Sequence, residues 1–324
     1  MKAIVHRVYG SPDALGLEEV DKPTPGRGEV LIRVRAAGVN PLDWHFMRGL
    51  PYAVRMLAGW RQPKDTRFGQ DVAGEIEALG ADVKQFNVGD RVFGTCRGAF
   101  AEFACGSERT FTRKPENVTF EEAAAAPIAA LTALQTLRDK GRIEAGHKVL
   151  VNGAAGGVGT FAVQIAKSLG AEVTGVCSAT NLGMVQSIGA DHVVDYARED
   201  FSQSARRYDV ILDCVANHSL AAYRRCMNPE GRYVSVGRLD GGGRWMMGAL
   251  WSGFAAAAHS SVGGKRFLSI FAKINKQDLE SLQELLRTGR VKPVIDRCYG
   301  LQEVAEAIRY VERRHARGKV MIRP

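Results

Sequence analysis

The sequence predicts an α/β fold in which a doubly wound, mostly parallel sheet forms one domain and a β-rich domain accompanies it. Three observations predict this. His147 to Gly170 reads as strand, glycine turn and helix. From His147 onward strand-like and helix-like segments alternate, the pattern of a parallel sheet covered by helices. Before Phe120, by contrast, short strand and turn signals dominate. A chain of 324 residues also exceeds the usual size of a single core, so two domains are expected.

Lys2 to Val8 and Glu29 to Ala36 read as strands, separated by the Pro- and Gly-rich turn Asp21 to Gly28. Next comes AAGVNPLDW at 36 to 44, where Pro41 disfavours helix at Asn40 and holds it extended or in a turn. Asn40 is then either a turn former or a polar side chain aimed into a cleft. Segments 69 to 80 and 88 to 94 alternate strand and turn, as in a compact β-barrel-like domain. Near Phe120 the composition changes to an alanine-rich helical stretch that Pro127 divides in two, and a domain boundary is expected there.

From there the expected strands are 147 to 152, 172 to 177, 192 to 195, 209 to 213 and 232 to 236. The expected helices are 158 to 169, 182 to 188 and 219 to 227. Gly241 to Lys265, with Trp245, Met246, Met247, Leu250, Trp251 and Phe254, reads as a substrate lid, a subunit contact or a core-packed helix. Arg266 to Ile274 reads as the last strand of the sheet. Helix 277 to 287, strand 291 to 299, helix 301 to 315 and strand 319 to 322 close the chain, which is expected to return to the first domain.

Composition narrows the function classes. With 45% hydrophobic and 24% charged residues the chain has the make-up of a soluble globular protein. Its longest apolar stretch, Met246 to Ala258, is interrupted by Gly248, Ser252 and Gly253 and is shorter than the ~20 residues of a spanning helix. MKAIVHRVYG is a strand-like start with neither an apolar h-region nor an Arg-rich leader, so a cytoplasmic setting is expected. The six cysteines show no C-x-x-C, hence neither a zinc site nor a disulfide framework. The net charge of +9 suits an anionic cofactor, and no basic run with interleaved aromatics points to nucleic acid.

The turn after the 147 to 152 strand carries the most chemistry. Ala154 to Gly159 fits G-x-G-x-x-G with alanine at the first position. Gly156 would let the backbone approach a pyrophosphate, Gly159 would let the helix pack close to the strand, and free N–H groups at the helix start favour the anion. In NAD-binding folds an acid about 20 residues further on takes the ribose hydroxyls. Here no acid occurs between Val173 and Ala190, and Ser178, Thr180 and Asn181 offer hydroxyls and an amide, with Tyr196 after the next strand. Those residues favour NADPH; the alternative for Ser178 and Thr180 is helix capping.

Jointly, AAGVNPLDW at 36 to 44, FGQDVAGEIEALG at 68 to 80, VGDRVFG at 88 to 94, GAAGGVG at 153 to 159, ADHVVDY at 190 to 196 and RGKVMI at 317 to 322 resemble the medium-chain dehydrogenase/reductase superfamily, in its zinc-free quinone oxidoreductase (zeta-crystallin-like) branch. The resemblance covers essentially the whole chain. It implies a Rossmann cofactor domain at 123–272 and a GroES-like catalytic domain formed by 1–122 and 273–324. The zinc-dependent alcohol dehydrogenases of the superfamily carry Cys at the position of Asn40 and Gly-His-Glu at that of Gly69-Gln70-Asp71. Their four-cysteine structural zinc loop is replaced by Thr95 to Phe103. The resemblance therefore implies hydride transfer from NADPH to a quinone or α,β-unsaturated carbonyl without zinc.

It also implies contacts. Asn40 would lie beside the nicotinamide and the reacting carbonyl, and Thr132 near the nicotinamide ribose and phosphate. Gly156, Gly157 and Val158 would hold the pyrophosphate, with Ser178, Asn181 and Tyr196 near the 2′-phosphate. Val215, Val236, Gly237 and Phe271 would line the nicotinamide pocket, and Lys319 would reach the cofactor from the closing strand. Asp43, His45 and Tyr52 would face the same cleft to orient substrate or relay a proton; Tyr52 is offset by one residue from the family's tyrosine, and surface exposure is an equal reading of His45. A homodimer is implied, through the 266 to 274 edge strand. Two other functions fit the same residues: an enoyl-thioester reductase, and a non-catalytic NADPH-binding or RNA-interacting protein.

Overall fold

The computed structural model describes residues 1–236 and 264–324, so the expectations for Gly237 and for 241–263 lie outside the described residues. The chain divides into two units, Met1–Leu131 with Ile274–Gly289 and Pro293–Pro324, and Thr132–Lys273 with Arg290–Lys292. The first unit thus runs to Leu131, past both the composition change near Phe120 and the 122/123 boundary that the resemblance implies.

In the first unit β1 (Lys2–His6) pairs antiparallel with β2 (Leu15–Glu19). The hub is β3 (Glu29–Val39), whose Val30, Ile32 and Val34 are buried and β-branched, as a pleated interior strand favours. It leads into α1 (Pro41–Arg48) and α2 (Ala53–Ala58), neither of which the sequence reading contained. Pro41 occupies the first helical position, where a missing N–H is no loss, and Asn40 before it is extended at φ −126°, ψ 152°. Then follow β4 (Asp71–Leu79), β5 (Arg91–Thr95), β6 (Phe103–Ser107) and β7 (Phe111–Arg113). β3 pairs antiparallel with β4 and β6, β4 with β5, and β5 with β7. α3 (Phe120–Ala125) and α4 (Pro127–Gln135) are split at Pro127 as expected.

The second unit contains β8 (Lys148–Asn152), α5 (Gly157–Ser168), β9 (Glu172–Cys177), α6 (Leu182–Ser187), β10 (His192–Asp195), β11 (Tyr208–Asp213), α7 (Leu220–Cys226), β12 (Met227–Val236) and β13 (Arg266–Ile270). Among the described residues its strands form one parallel sheet in the order β10-β9-β8-β11-β12-β13. Chain order reverses between β8 and β11, which opens a crevice at their carboxyl ends. Leu150, Val176, Ile211, Tyr223 and Tyr233 belong to its core.

The chain then returns to the first unit as α8 (Lys276–Arg287), β14 (Ile295–Gly300), α9 (Val304–Glu312) and β15 (Lys319–Arg323). β15 pairs parallel with β14 and antiparallel with β3, Val320 opposite Val39, which brings Lys319 beside Asn40. Several expected boundaries shift, among them the expected strand 232 to 236, which runs from Met227 to Val236, and three shifts have a local cause. The 266 to 274 strand stops at Ile270, because its ladder with β12 ends where Ile270 pairs Val236. The 291 to 299 strand starts only at Ile295, beyond Pro293, which has no N–H for a ladder. The 301 to 315 helix begins as a 3-10 turn and ends at Glu312, before Arg314 at φ 61°.

Candidate functional site

The glycine turn joins β8 to α5. Gly153 adopts φ 87°, and Gly156 caps α5 at φ −81°, ψ 176°. A Cβ on Gly159 would lie 2.1 Å from the Gly153 carbonyl oxygen and 2.8 Å from Ala154 Cα, so only glycine permits this helix–strand contact. A Cβ on Gly156 would meet only the Gly153 oxygen, at 3.4 Å, leaving open space before the turn. The first-turn N–H groups of Gly157, Val158 and Gly159 have no carbonyl four residues back within the helix and sit at its positive end. This is an anion cradle, and it fits a pyrophosphate.

Beyond the carboxyl ends of β9 and β10 lies a polar platform. Ser178 Oγ is 3.1 Å from Thr180 Oγ1 and accepts from Asn181 Nδ2 at 3.0 Å. Ser178 makes no side-chain cap bond, so these side chains hold one another and do not cap a helix. Tyr196 N–H donates to the Cys177 carbonyl at 3.2 Å, which sets the exposed Tyr196 beside the same strand end. Val215 follows β11 and is 47% exposed, close enough to the turn that a Cβ on Gly153 would come within 2.9 Å of its Cγ2. Thr132 is buried on α4, Val236 ends β12, and Phe271, just past β13, is 72% exposed.

In the first unit the residues around Asn40 form a buried polar cluster. Lys319 Nζ, with its side chain 3% exposed, donates to Asn40 Oδ1 at 2.6 Å and lies 3.3 Å from Asp71 Oδ2. Asn40 Nδ2 donates to the same Asp71 oxygen at 2.9 Å, closing a triangle. The carboxylate and the ammonium together fix which way the Asn40 amide points. Asp71 Oδ1 accepts from Ile128 N–H at 3.1 Å. Burial pushes the Asp71 carboxyl upward, opposed by Lys319 and the Asn40 hydrogen bond. A Cβ on Gly38 would meet the Ala124 carbonyl at 2.6 Å and Asp71 Cβ at 3.1 Å, so glycine is what admits this packing.

Asp43 points back rather than outward: its Oδ2 accepts the Asn40 backbone N–H at 2.7 Å. Burial lifts its carboxyl from 3.8 to about 7 against that hydrogen bond, with Asp71 adding to the rise. His45 is buried, which removes the surface reading; its ring stacks on Trp44 at 3.7 Å, and Nδ1 lies 2.9 Å from the Leu50 carbonyl oxygen. A carbonyl only accepts, so Nδ1 carries the hydrogen. Tyr52 is half-buried, with the Arg55 guanidinium 5.0 Å from its ring centroid. Asp71 is the member that sequence reasoning missed, although the FGQDVAG segment contained it. Among the described residues no group of three His, Cys, Asp or Glu side chains is placed to hold a metal ion.

Comparison with known proteins agrees with this architecture. A model described as an alcohol dehydrogenase GroES-like domain matches residues 26–116, and one described as a zinc-binding dehydrogenase matches 188–322. The chain is 32% identical to a chloroplast envelope quinone oxidoreductase homolog of Arabidopsis thaliana, covering 100% of this chain and 98% of that one. It is 33% identical to a mitochondrial NAD(P)H oxidoreductase of Mus musculus, over 91% of this chain and 81% of that one. The quinone oxidoreductase from Coxiella burnetii superposes with a TM-score of 0.84 at 29% identity, covering 100% of this chain and 99% of that one. With the GroES-like and Rossmann-type units, the cradle and these relatives together, the chain belongs to the quinone oxidoreductase branch of the medium-chain dehydrogenase/reductase superfamily and is an NAD(P)H-dependent oxidoreductase.

Proposed function

We propose that this protein is an NADPH-dependent, zinc-independent reductase that passes hydride to a quinone or an α,β-unsaturated carbonyl. The triangle of Asn40, Asp71 and Lys319 carries this proposal. A catalytic zinc needs three convergent protein ligands of N, S or O type and an open position. Here a cation of the chain itself neutralises Asp71, and both polar atoms of Asn40 are engaged. These residues do not fit the metal, and no Lewis-acid step is part of the mechanism.

When bound, the dinucleotide supplies the hydride. The cradle at Gly156, Gly157 and Val158 binds its pyrophosphate. Ser178, Asn181 and Tyr196 give hydroxyl and amide donors to a 2′-phosphate, with no carboxylate between Val173 and Ala190 to repel it. Thr132, Val215, Val236, Gly237, Phe271, Lys319 and Asn40 complete the proposed contacts. Addition at the β-carbon of an enone drives negative charge onto the carbonyl oxygen, which needs a hydrogen-bond donor and no strong acid, and a proton from solvent then completes the reduction. Tyr52 is the donor this proposal assigns. His45, with its hydrogen on Nδ1, orients the substrate, and Asp43 acts as a positioning residue by fixing the backbone of Asn40.

Protein dialysed against a chelator, titrated with NADPH and NADH and then assayed with quinones and enones, tests each part. Lower Kd for NADPH and turnover with either acceptor class are expected. Activity that appears only on adding zinc would remove the metal-free part, and equal affinities would remove the 2′-phosphate assignment. A homodimer joined at the β13 edge and a cytoplasmic setting belong to the same proposal; sedimentation checks the first and fractionation the second.

A further inference from the structure

The end of β11 carries a polar chain, running from buried Asp213 and Asn152 out to the surface at Asp200, that neither the phosphate cradle nor the Asn40 cluster uses. Asp213 Oδ1 accepts from the backbone N–H groups of Val215 at 3.0 Å and Ala216 at 2.9 Å, and Tyr233 OH donates to Oδ2 at 2.7 Å. Ala216 is held at φ 58°, a left-handed conformation that alanine disfavours and that persists only where its surroundings enforce it. Asn152, the last residue of β8 before the glycine turn, donates from Nδ2 to Asp213 Oδ1 and to Asn217 Oδ1, both at 2.9 Å. Asn217 Oδ1 also lies 2.9 Å from His218 Nδ1, and His218 Nε2 lies 3.0 Å from Asp200 Oδ1.

The polarity of this chain follows from its buried end. A carboxylate at Asp213 accepts only, so the Asn152 amide nitrogen faces it and shares its two hydrogens among Asp213 Oδ1, Asn217 Oδ1 and, at 3.2 Å, the Tyr223 hydroxyl. Asn217 therefore presents oxygen to His218 Nδ1, and Asp200 presents oxygen to Nε2. Nδ1 thus carries the hydrogen that faces Asn217, and the ring donates to Asp200 as well when Nε2 is also protonated. The ring is fixed by packing as well, 4.6 Å from Phe201 and 5.7 Å from Tyr223 between centroids. Asp200 is tied in turn by Ser202 N–H at 2.9 Å.

We propose that His218 and Asp200 are positioning residues for cofactor binding. Through Asn217 they brace the strained turn 214–216, and so hold Val215 against the glycine turn at the point where the strand order reverses. The inference rests on the reading that Val215 lines the nicotinamide side. Neither residue touches the cofactor in this scheme. Removing His218 leaves the Asn217 oxygen and the Asp200 carboxylate without their common donor, and the turn is free to relax from its left-handed conformation.

The test compares wild type, H218A, D200A and D200N by titration with NADPH and with 2′,5′-ADP, which carries only the adenosine half. H218A and D200A are expected to bind NADPH roughly tenfold more weakly while keeping wild-type affinity for 2′,5′-ADP. D200N retains an acceptor oxygen and is expected within about twofold of wild type for both ligands. Unchanged NADPH affinity in H218A, equal loss of both ligands, or D200N as weak as D200A would each overturn the assignment. Should H218A not fold, the D200A and D200N pair decides alone. A wild type that binds neither ligand sinks the cofactor reading itself, an outcome distinct from wild-type binding that H218A leaves untouched.

Discussion

One added methyl group separates the roles of Gly156 and Gly159. At Gly159 it would land 2.1 Å from a backbone oxygen, and neither the strand nor the helix can yield without breaking the ladder or the first turn. G159A is expected to cost about 1–3 kcal/mol of stability as overpacking, and to weaken NADPH because the turn itself shifts. At Gly156 the same methyl meets nothing closer than 3.4 Å, and φ −81° is ordinary for alanine. G156A is therefore expected to unfold at the wild-type urea midpoint, yet to bind NADPH on the order of tenfold more weakly, equivalent to about 1.4 kcal/mol, by filling the space before the cradle. Matching urea and NADPH titrations on the two variants check the contrast. Equal loss of stability in both would mean that Gly156 also serves packing.

Single residues act here through the elements that deliver them. Lys319 reaches Asn40 and Asp71 because β15 closes the sheet beside β3, and Asp71 also holds the second residue of α4 through Ile128 N–H. K319M leaves the Asp71 carboxylate buried without its cation and is expected to cost about 3–5 kcal/mol. The double variant D71N/K319M removes both charges and is expected to be more stable than K319M alone, as urea unfolding would show. Such links explain what the sequence disclosed. The strand, turn and helix of the cradle were legible because their signals are local, as was the break at Pro127. β2 was not: LGLEE carries two acids and is half-exposed, so no apolar alternation marks it. α1 was hidden because a helix of eight residues that begins with a proline gives little periodicity. Asn40 and Lys319 entered as candidates through motifs, but their union with Asp71 was not legible, since those partners lie 31 and 248 residues away from it in the chain. The turn 214–216 likewise depends on Asn152 and Asp200, which only the sheet order brings near.

Burying carboxyl groups beside a fixed cation has a consequence for the whole molecule, namely how its stability varies with pH. Burial disfavours the Asp43 charge and pushes its carboxyl up to about 7 in the folded chain, against 3.8 ordinarily. Between those values the native state keeps a proton that the unfolded chain has lost, so stability falls as pH rises. The penalty is absent below the lower value, grows through the window at on the order of 1 kcal/mol per pH unit, and levels off above the upper one. Asp71 is displaced in the same direction and adds the same sign. In D43N the amide oxygen can still accept the Asn40 N–H, but nothing at position 43 titrates. Urea unfolding at a series of pH values is therefore expected to show a steeper decline in wild type than in D43N from about pH 5 to about pH 7, with the curves parallel above that. D43N should gain on wild type as pH rises, because it never meets the cost of a buried charge at that site. Profiles that run parallel throughout would mean that Asp43 ionises inside the fold at no cost, contrary to its burial and to the nearby Asp71 carboxylate.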